Sequence, residues 1–309
     1  MQPLSISTNL FSSKGDPEDV LRRISEYGFT HLLWSHHWNT DFAYGKYELA
    51  AISEMLKKYN LTLQDVHGCA NAEKSWFSVL EYQRKAGIEL MVNRLEMMQQ
   101  LNATGVLVMH QPRIKTNSSP EEIALKRRQF DSLKKSMDEI IPILEKMNAK
   151  LALENMPGDT WEFLRYLLDN YPSERIGFCF DSGHANIMGK YFYHADNSRT
   201  EKDPAKYKPT FHEIVWFEGL KLEEDTLGLL APHVVTCHLH DNDGYGDNHT
   251  LPGCPGRGTI NWKRLLKQLF ACPNLKSIQN ESNFATNHVI AREVVRIFDY
   301  IERGENPVW

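Results

Sequence analysis

Short apolar runs rich in β-branched residues alternate along this chain with longer stretches whose apolar positions recur at helical spacing. The runs are LSIST from Leu4, FTHLLWSHH from Phe29, LTLQDVHG from Leu61, TGVLVMH from Thr104, AKLALEN from Ala149, IGFCFDSGH from Ile176, VVTCHLHD from Val234 and KSIQNES from Lys276. Each has the length of a strand. The segments between them begin as helices begin: Asp16-Pro17 and Ser119-Pro120 pair a capping residue with a proline at the first helical position, and Glu122 completes a capping box with Ser119. Ile88, Met91, Leu95, Met98 and Leu101 fall on one helical face, as do Ile290, Val294, Ile297 and Ile301, and both stripes are expected to be core.

Eight strand-helix units predict an α/β fold, a (β/α)8 barrel spanning residues 1–309 as a single domain. The competing architecture is a doubly wound open sheet. No GxGxxG follows the first strand, so neither that sheet nor a nucleotide cofactor is expected. A long, partly polar stretch from Gly189 to Phe217 after the sixth strand predicts an insertion or lid, not a further domain.

Composition narrows the class. The 309 residues are 41% hydrophobic and 24% charged, ordinary for a globular protein, and no run has the length of a membrane span. Net charge is −5 and pI about 6.2, which gives no bulk attraction to nucleic acid. The start carries no basic region followed by an apolar stretch, and the five cysteines form no CxxC pair. A reduced, cytoplasmic protein is the expectation.

The strand ends carry the chemistry. The third run ends in His67, the fourth in His110, the fifth in Glu154, the sixth in Asp181 with His184, the seventh in His238 and the eighth in Glu281. In a barrel these ends meet at one mouth. Glu154, Asp181 and Glu281 would repel one another there without a cation, so with His238 they predict a mixed oxygen-nitrogen metal site. Such a set suits Mn²⁺ or Zn²⁺ first, with Co²⁺ and Mg²⁺ as alternatives. The late loop HLHDNDGYGDNH adds Asp247 and His249, which with His184 either bind a further metal or substrate, or form a polar loop satisfied by water. His240 is read as a substrate contact or as a support for a ligand. Trp34 and Trp38 are candidate walls for a sugar ring, with barrel packing the plainer alternative.

These residues form familiar strings. LALENMPG, GFCFDSGHANIMG, HLHDNDGYGDNHTLPGCPGRGTINW and QNES resemble the xylose isomerase-like TIM-barrel superfamily, which includes sugar isomerases and epimerases as well as endonuclease IV. In the epimerase branch the resemblance implies one metal on Glu154, Asp181, His238 and Glu281, with the two glutamates moving a proton on opposite faces of the substrate. In the endonuclease branch it implies three zinc ions on those four together with His67, His110, His184, Asp247 and His249. Three departures favour the isomerase branch: Asn248 stands where the nuclease has arginine, ESN replaces an ETP-like ending, and DSGH replaces a DTCH type. The Gly-x-Gly-x-Ile-x-Trp ending is of the sugar-isomerase form, though Cys254-Pro255 precede it. The expected protein is therefore a metal-dependent sugar, sugar-phosphate or polyol isomerase or epimerase, with His184 and Arg257 as contacts to substrate oxygens. The absence of a dedicated phosphate clamp favours an unphosphorylated substrate. A zinc phosphodiesterase acting on abasic DNA and a non-catalytic sugar-binding barrel are the alternatives.

Overall fold

In a computed structural model, which describes residues 4–10, 16–69, 73–115, 118–157, 162–206, 215–216, 220–221, 226–283 and 291–309, all eight predicted runs form strands of one closed barrel. They are β1 (Leu4–Ser7), β2 (His31–Trp34), β3 (Thr62–His67), β4 (Leu107–Met109), β5 (Leu151–Glu154), β6 (Ile176–Asp181), β11 (Val234–Leu239) and β12 (Ile278–Asn280). The order around the barrel is β1-β12-β11-β6-β5-β4-β3-β2, and every neighbouring pair is parallel. Helices α1 (Pro17–Glu26), α2 (Lys46–Lys58), α3 (Glu81–Gln100), α4 (Pro120–Lys146), α5 (Glu162–Asn170), α6 (Ser182–Met188), α7 (Thr226–Leu230), α8 (Trp262–Leu269) and α9 (Ala291–Glu302) connect them.

The helix starts form as the sequence predicts. Asp16 accepts the Glu18 amide at 2.9 Å with Pro17 at the first position of α1. At α4 the Ser119 hydroxyl accepts from the Glu122 amide, and the Glu122 carboxylate accepts from the Ser119 amide. Both apolar stripes are buried; Ile290 lies outside the described residues. Helix α3 also buries Arg84 and Arg94. Arg84 is paired with Glu81 and Glu139, while Arg94 donates to the Phe42 carbonyl and lies over the Tyr44 ring.

After α6 the insertion begins as an antiparallel hairpin, β7 (Tyr191–Tyr193) with β8 (Arg199–Glu201). A further short pair, β9 (Val215–Trp216) with β10 (Leu220–Lys221), follows, and residues 207–214 and 217 of the insertion lie outside the described residues. Lys202, 1% exposed, donates from Nζ to the backbone carbonyls of Asn186 and Gly244. This fastens the hairpin to α6 and to the loop after β11. Among the described residues, no helix is long and apolar enough to cross a membrane, and the five cysteines are free thiols.

Side chains alternate along each strand, so residues two apart share a face. In β3, β11 and β12 that places Asp65, Thr236 and Gln279 one step below His67, His238 and Glu281. Asp65 is fully buried and takes hydrogen bonds from Thr236 Oγ1, Ser277 Oγ, Gln279 Nε2 and the Val106 amide. Burial pushes its pKa up, while these four donors act in the opposite direction. The layer thus ties four strands together directly beneath the mouth.

Candidate metal centre

Four consecutive strands of the barrel, β5, β6, β11 and β12, each carry an acid or imidazole at or beside their C-terminal end: Glu154, Asp181, His238 and Glu281. One ligand atom from each of these residues lies within 4.8 Å of the others. His238 Nδ1 stands 3.5 Å from Glu154 Oε2 and 3.2 Å from Glu281 Oε2. Neither His238 ring nitrogen nor Glu154 Oε2 has a hydrogen-bond partner, although both residues are buried. Buried polar atoms are nearly always satisfied, so these orphaned atoms facing one another fit a cation between them.

The electrostatics point the same way. Burial works against ionising Glu154, but His238, His110 and His184 outweigh it and hold the carboxyl well below its usual range. Burial likewise opposes protonation of His238, yet Cys179, Glu281 and Glu154 outweigh that and push its pKa up. Glu281 falls to about 2, burial being opposed chiefly by His238. A cluster that keeps its carboxylates charged by drawing protons onto imidazoles is one that a divalent ion would satisfy without them.

A second group sits beside it on α6 and the loop after β11. His184 Nε2 lies 3.3 Å from Asp247 Oδ2, and His249 Nε2 lies 3.3 Å from Asp247 Oδ1. With His240 these three form another set of potential ligands, and His67, His110 and Glu154 form a third. Partial burial opposes ionisation of Asp247, but His184 and His249 hold it far below its ordinary value. Asp247 in turn raises His249 to about 9 against the effect of burial.

Three of the imidazoles share an orientation. His67 Nδ1 pairs with the Gly68 carbonyl, His184 Nδ1 with the Asn155 carbonyl, and His249 Nδ1 with the Glu281 carbonyl, at 2.9, 2.8 and 2.8 Å. A carbonyl accepts only from N–H, so Nδ1 carries the proton and Nε2 is left facing a carboxylate. Metal-binding histidines are fixed in the same way, with the second nitrogen donating to the backbone.

Neighbouring residues that the sequence reading did not single out hold this arrangement. Asn155 donates to the Asp181 carbonyl and accepts the Asp181 amide, locking the end of β5 to that of β6. Ser182 bonds both the carbonyl and the amide of His240. Gly183 is required because a Cβ there would meet the His240 ring at 2.0 Å. Asp241 is fully buried and accepts from the amides of Asn242, Gly253, Thr259 and Ile260 and from the Trp262 indole. A polar residue just after a strand-end acid or imidazole was the available signal: Asn after Glu154, Ser after Asp181, Asp after His240.

The cavity at the mouth is about 190 Å³. It is lined by His67, His110, Glu154, His184, Asp247, His249 and Glu281 and by neutral groups including Ser7, Asn9, Ser35 and Asn283. Trp38 belongs to this lining, with its ring 5.2 Å from that of His67. Three expected substrate contacts are corrected. Trp34 points into the core, 1% exposed, with its indole donating to Tyr44 Oη, because β2 ends there and Trp38 lies on the loop beyond. His240 is fully buried, stacked on His249 at 3.7 Å with Nε2 3.2 Å from Asp181 Oδ2, so it supports ligands and does not reach the cavity. Arg257 is exposed in a turn and is not among the lining residues. The Gly-x-Gly-x-Ile-x-Trp string serves Asp241 instead: a Cβ on Gly258 would meet Asp241 Oδ2 at 2.7 Å. Among the described residues, none of 189–206 lines the cavity, so this part of the insertion braces the late loop and does not cover the mouth.

Residues 21–272 match the family described as the xylose isomerase-like TIM barrel, and the chain belongs to it. An uncharacterized protein of Sinorhizobium fredii is 22% identical over 273 residues, covering 80% of this chain and 75% of its own length. An uncharacterized protein of Methanocaldococcus jannaschii is 29% identical over 175 residues, covering 54% of this chain and 47% of its own. Of solved structures, a D-tagatose 3-epimerase-like protein superposes with a TM-score of 0.66 at 20% identity, over 97% of this chain and 98% of that one. A 3-keto-D-glucoside 4-epimerase from E. coli superposes with a TM-score of 0.63 at 14% identity, over 98% and 100%. At these identities the likeness establishes the shared barrel.

Proposed function

We propose that this family member is a divalent-metal-dependent isomerase or epimerase of a small sugar or polyol, moving a proton on the carbon beside a carbonyl. The observation that supports it most is the set Glu154, Asp181, His238 and Glu281 on four adjacent strands, with its unpartnered buried atoms turned inward. The structural relatives, a D-tagatose 3-epimerase-like protein and a 3-keto-D-glucoside 4-epimerase, agree with this reading.

Glu154, Asp181, His238 and Glu281 would hold a divalent ion, which would supply positive charge to favour loss of a proton beside the substrate carbonyl. The chain's own groups do the rest. Glu154 and Glu281, with two strands between them on the barrel wall, would remove the proton on one face and return it on the other. Such assistance contributes on the order of 10²- to 10⁴-fold. His110 and His184, at 3.4 and 3.3 Å from the Glu154 carboxylate, keep it ionised and ready to accept. Trp38 offers a flat wall for the carbon skeleton. Ser7, Asn9 and Asn283 offer neutral hydrogen-bonding groups suited to hydroxyls.

A specific observation keeps a second reading in play. The nine residues His67, His110, Glu154, Asp181, His184, His238, Asp247, His249 and Glu281 fall in three ligand groups, two sharing Glu154 and the third also holding His240, as three zinc ions of a phosphodiesterase would need. Elemental analysis of protein purified without chelator separates the two. About one manganese, zinc or cobalt per chain supports the isomerase, whereas three zinc ions with cleavage of an abasic duplex supports the phosphodiesterase.

A further inference from the structure

The four-residue set leaves one neighbour unused. Cys179 pairs with Glu154 across the β5/β6 ladder and lies two residues before Asp181, so its side chain faces into the barrel on the same wall. Its sulfur, a Glu154 oxygen and a His238 ring nitrogen all lie within 4.8 Å of one another. Glu154 and His238 are 2% and 0% exposed, and these are the residues whose Oε2, Nδ1 and Nε2 atoms lack hydrogen-bond partners. Cys179 also tops a small apolar cluster with Val106, Val108, Ala152 and Val235. Packing as a small hydrophobe accounts for its burial. It does not by itself account for a carboxylate oxygen and an imidazole nitrogen gathered at its sulfur.

We propose that Glu154, Cys179 and His238 form an inner, sulfur-containing site that shares two ligands with the outer set and captures soft divalent ions. This rests on the reading that the outer set holds a metal. Thiolate with imidazole suits Zn²⁺, Co²⁺ or Cd²⁺, whereas three carboxylates with one imidazole suit Mn²⁺ and Mg²⁺. Binding at the inner site forms a sulfur–metal bond and releases the thiol proton to solvent. Hard ions therefore stay among Glu154, Asp181, His238 and Glu281, and soft ions move one step down the barrel toward Cys179. The chain would sort metals by sulfur rather than by the oxygen ligands at the mouth.

The test is X-ray absorption on full-length protein stripped of metal and reloaded with one equivalent of Zn²⁺ or of Mn²⁺. The Zn²⁺ form should show one sulfur neighbour at about 2.3 Å beside nitrogen and oxygen at about 2.0–2.2 Å, and the Mn²⁺ form nitrogen and oxygen only. Cys179→Ser should lose the sulfur neighbour, and the thiolate-to-cobalt absorption of a Co²⁺ form, while still binding one Mn²⁺. Cys179→Ala serves if the serine variant does not fold, and the wild-type spectrum stands without either. One bound Zn²⁺ with no sulfur neighbour, or a sulfur signal that survives Cys179→Ser, overturns the inner site but leaves the outer one standing. Protein that takes up neither ion overturns the metal reading itself.

Discussion

The two poles of the mouth use the same residue types and are held in different ways. Glu154, Asp181 and His238 sit on the ends of adjacent strands, 0–2% exposed, with register fixed by the barrel ladder. Asp247 and His249 sit on a loop, 41% and 27% exposed, and are held by each other, by His184 on α6 and by the segment after β12. His249 adopts a left-handed backbone with φ 46°, held where its carbonyl accepts the Asn283 amide and its ring pairs with the Glu281 carbonyl. A strand end positions a ligand through backbone pairing that the whole fold shares. A loop must supply its own frame, here Asp241 and its five donors. The strand pole should therefore be the stable chemical centre, and the loop pole the part that tunes it.

The sharpest way to break this comparison is to remove the base from the strand pole. Glu154→Gln should lower turnover by at least the 10²- to 10⁴-fold that acid-base assistance supplies, with circular dichroism unchanged. His249→Ala should do far less. Equal losses would put the chemistry on the loop. Metal removal comes next. Chelation should abolish activity and lower the melting temperature, and an ion at a hundred times its dissociation constant should restore about 2.7 kcal/mol of stability, read by calorimetry. A smaller effect is expected for Asp241→Asn, which disturbs the frame of the loop pole. Activity should fall on the order of ten- to a hundredfold, as when a group that orients ligands is lost. Mn²⁺ affinity at the strand pole should hold, read by titration calorimetry.

The smallest effect concerns the hairpin that braces the loop. Burial pushes Lys202 down to about 7, with Asp243 acting weakly in the opposite direction. The unfolded lysine titrates near 10.4. Between these values the unfolded chain binds more protons than the folded one, so stability rises with pH across that window. Denaturant unfolding at pH 7 and pH 10 should show this rise in the wild-type protein and a smaller one in Lys202→Met.

The strand pole was legible because it obeys a simple rule: an apolar run that ends in an acid or imidazole marks a barrel mouth. That rule located LALEN, FCFDSGH and TCHLH from patterning alone, and the eight runs themselves gave the barrel. What escaped were partners defined by contact and not by period. Asp65 stands mid-strand in LTLQDVH, and nothing local shows that Thr236, Ser277 and Gln279 converge on it from strands more than 170 residues away. Trp34 and Trp38 have the same composition and near-equal positions, and only the end of β2 separates a core residue from a cavity wall. Arg257 was drawn toward substrate by the motif around it, whose glycines and tryptophan instead clasp Asp241.

The most direct test of the account is solvent-deuterium exchange on a panel of free ketopentoses and ketohexoses, followed by NMR, with protein carrying its metal. Deuterium should enter the carbon beside the carbonyl of at least one sugar, and should stop entering it on chelation or in Glu154→Gln. Metal-loaded protein that exchanges no sugar in the panel, yet cleaves an abasic duplex, would contradict it.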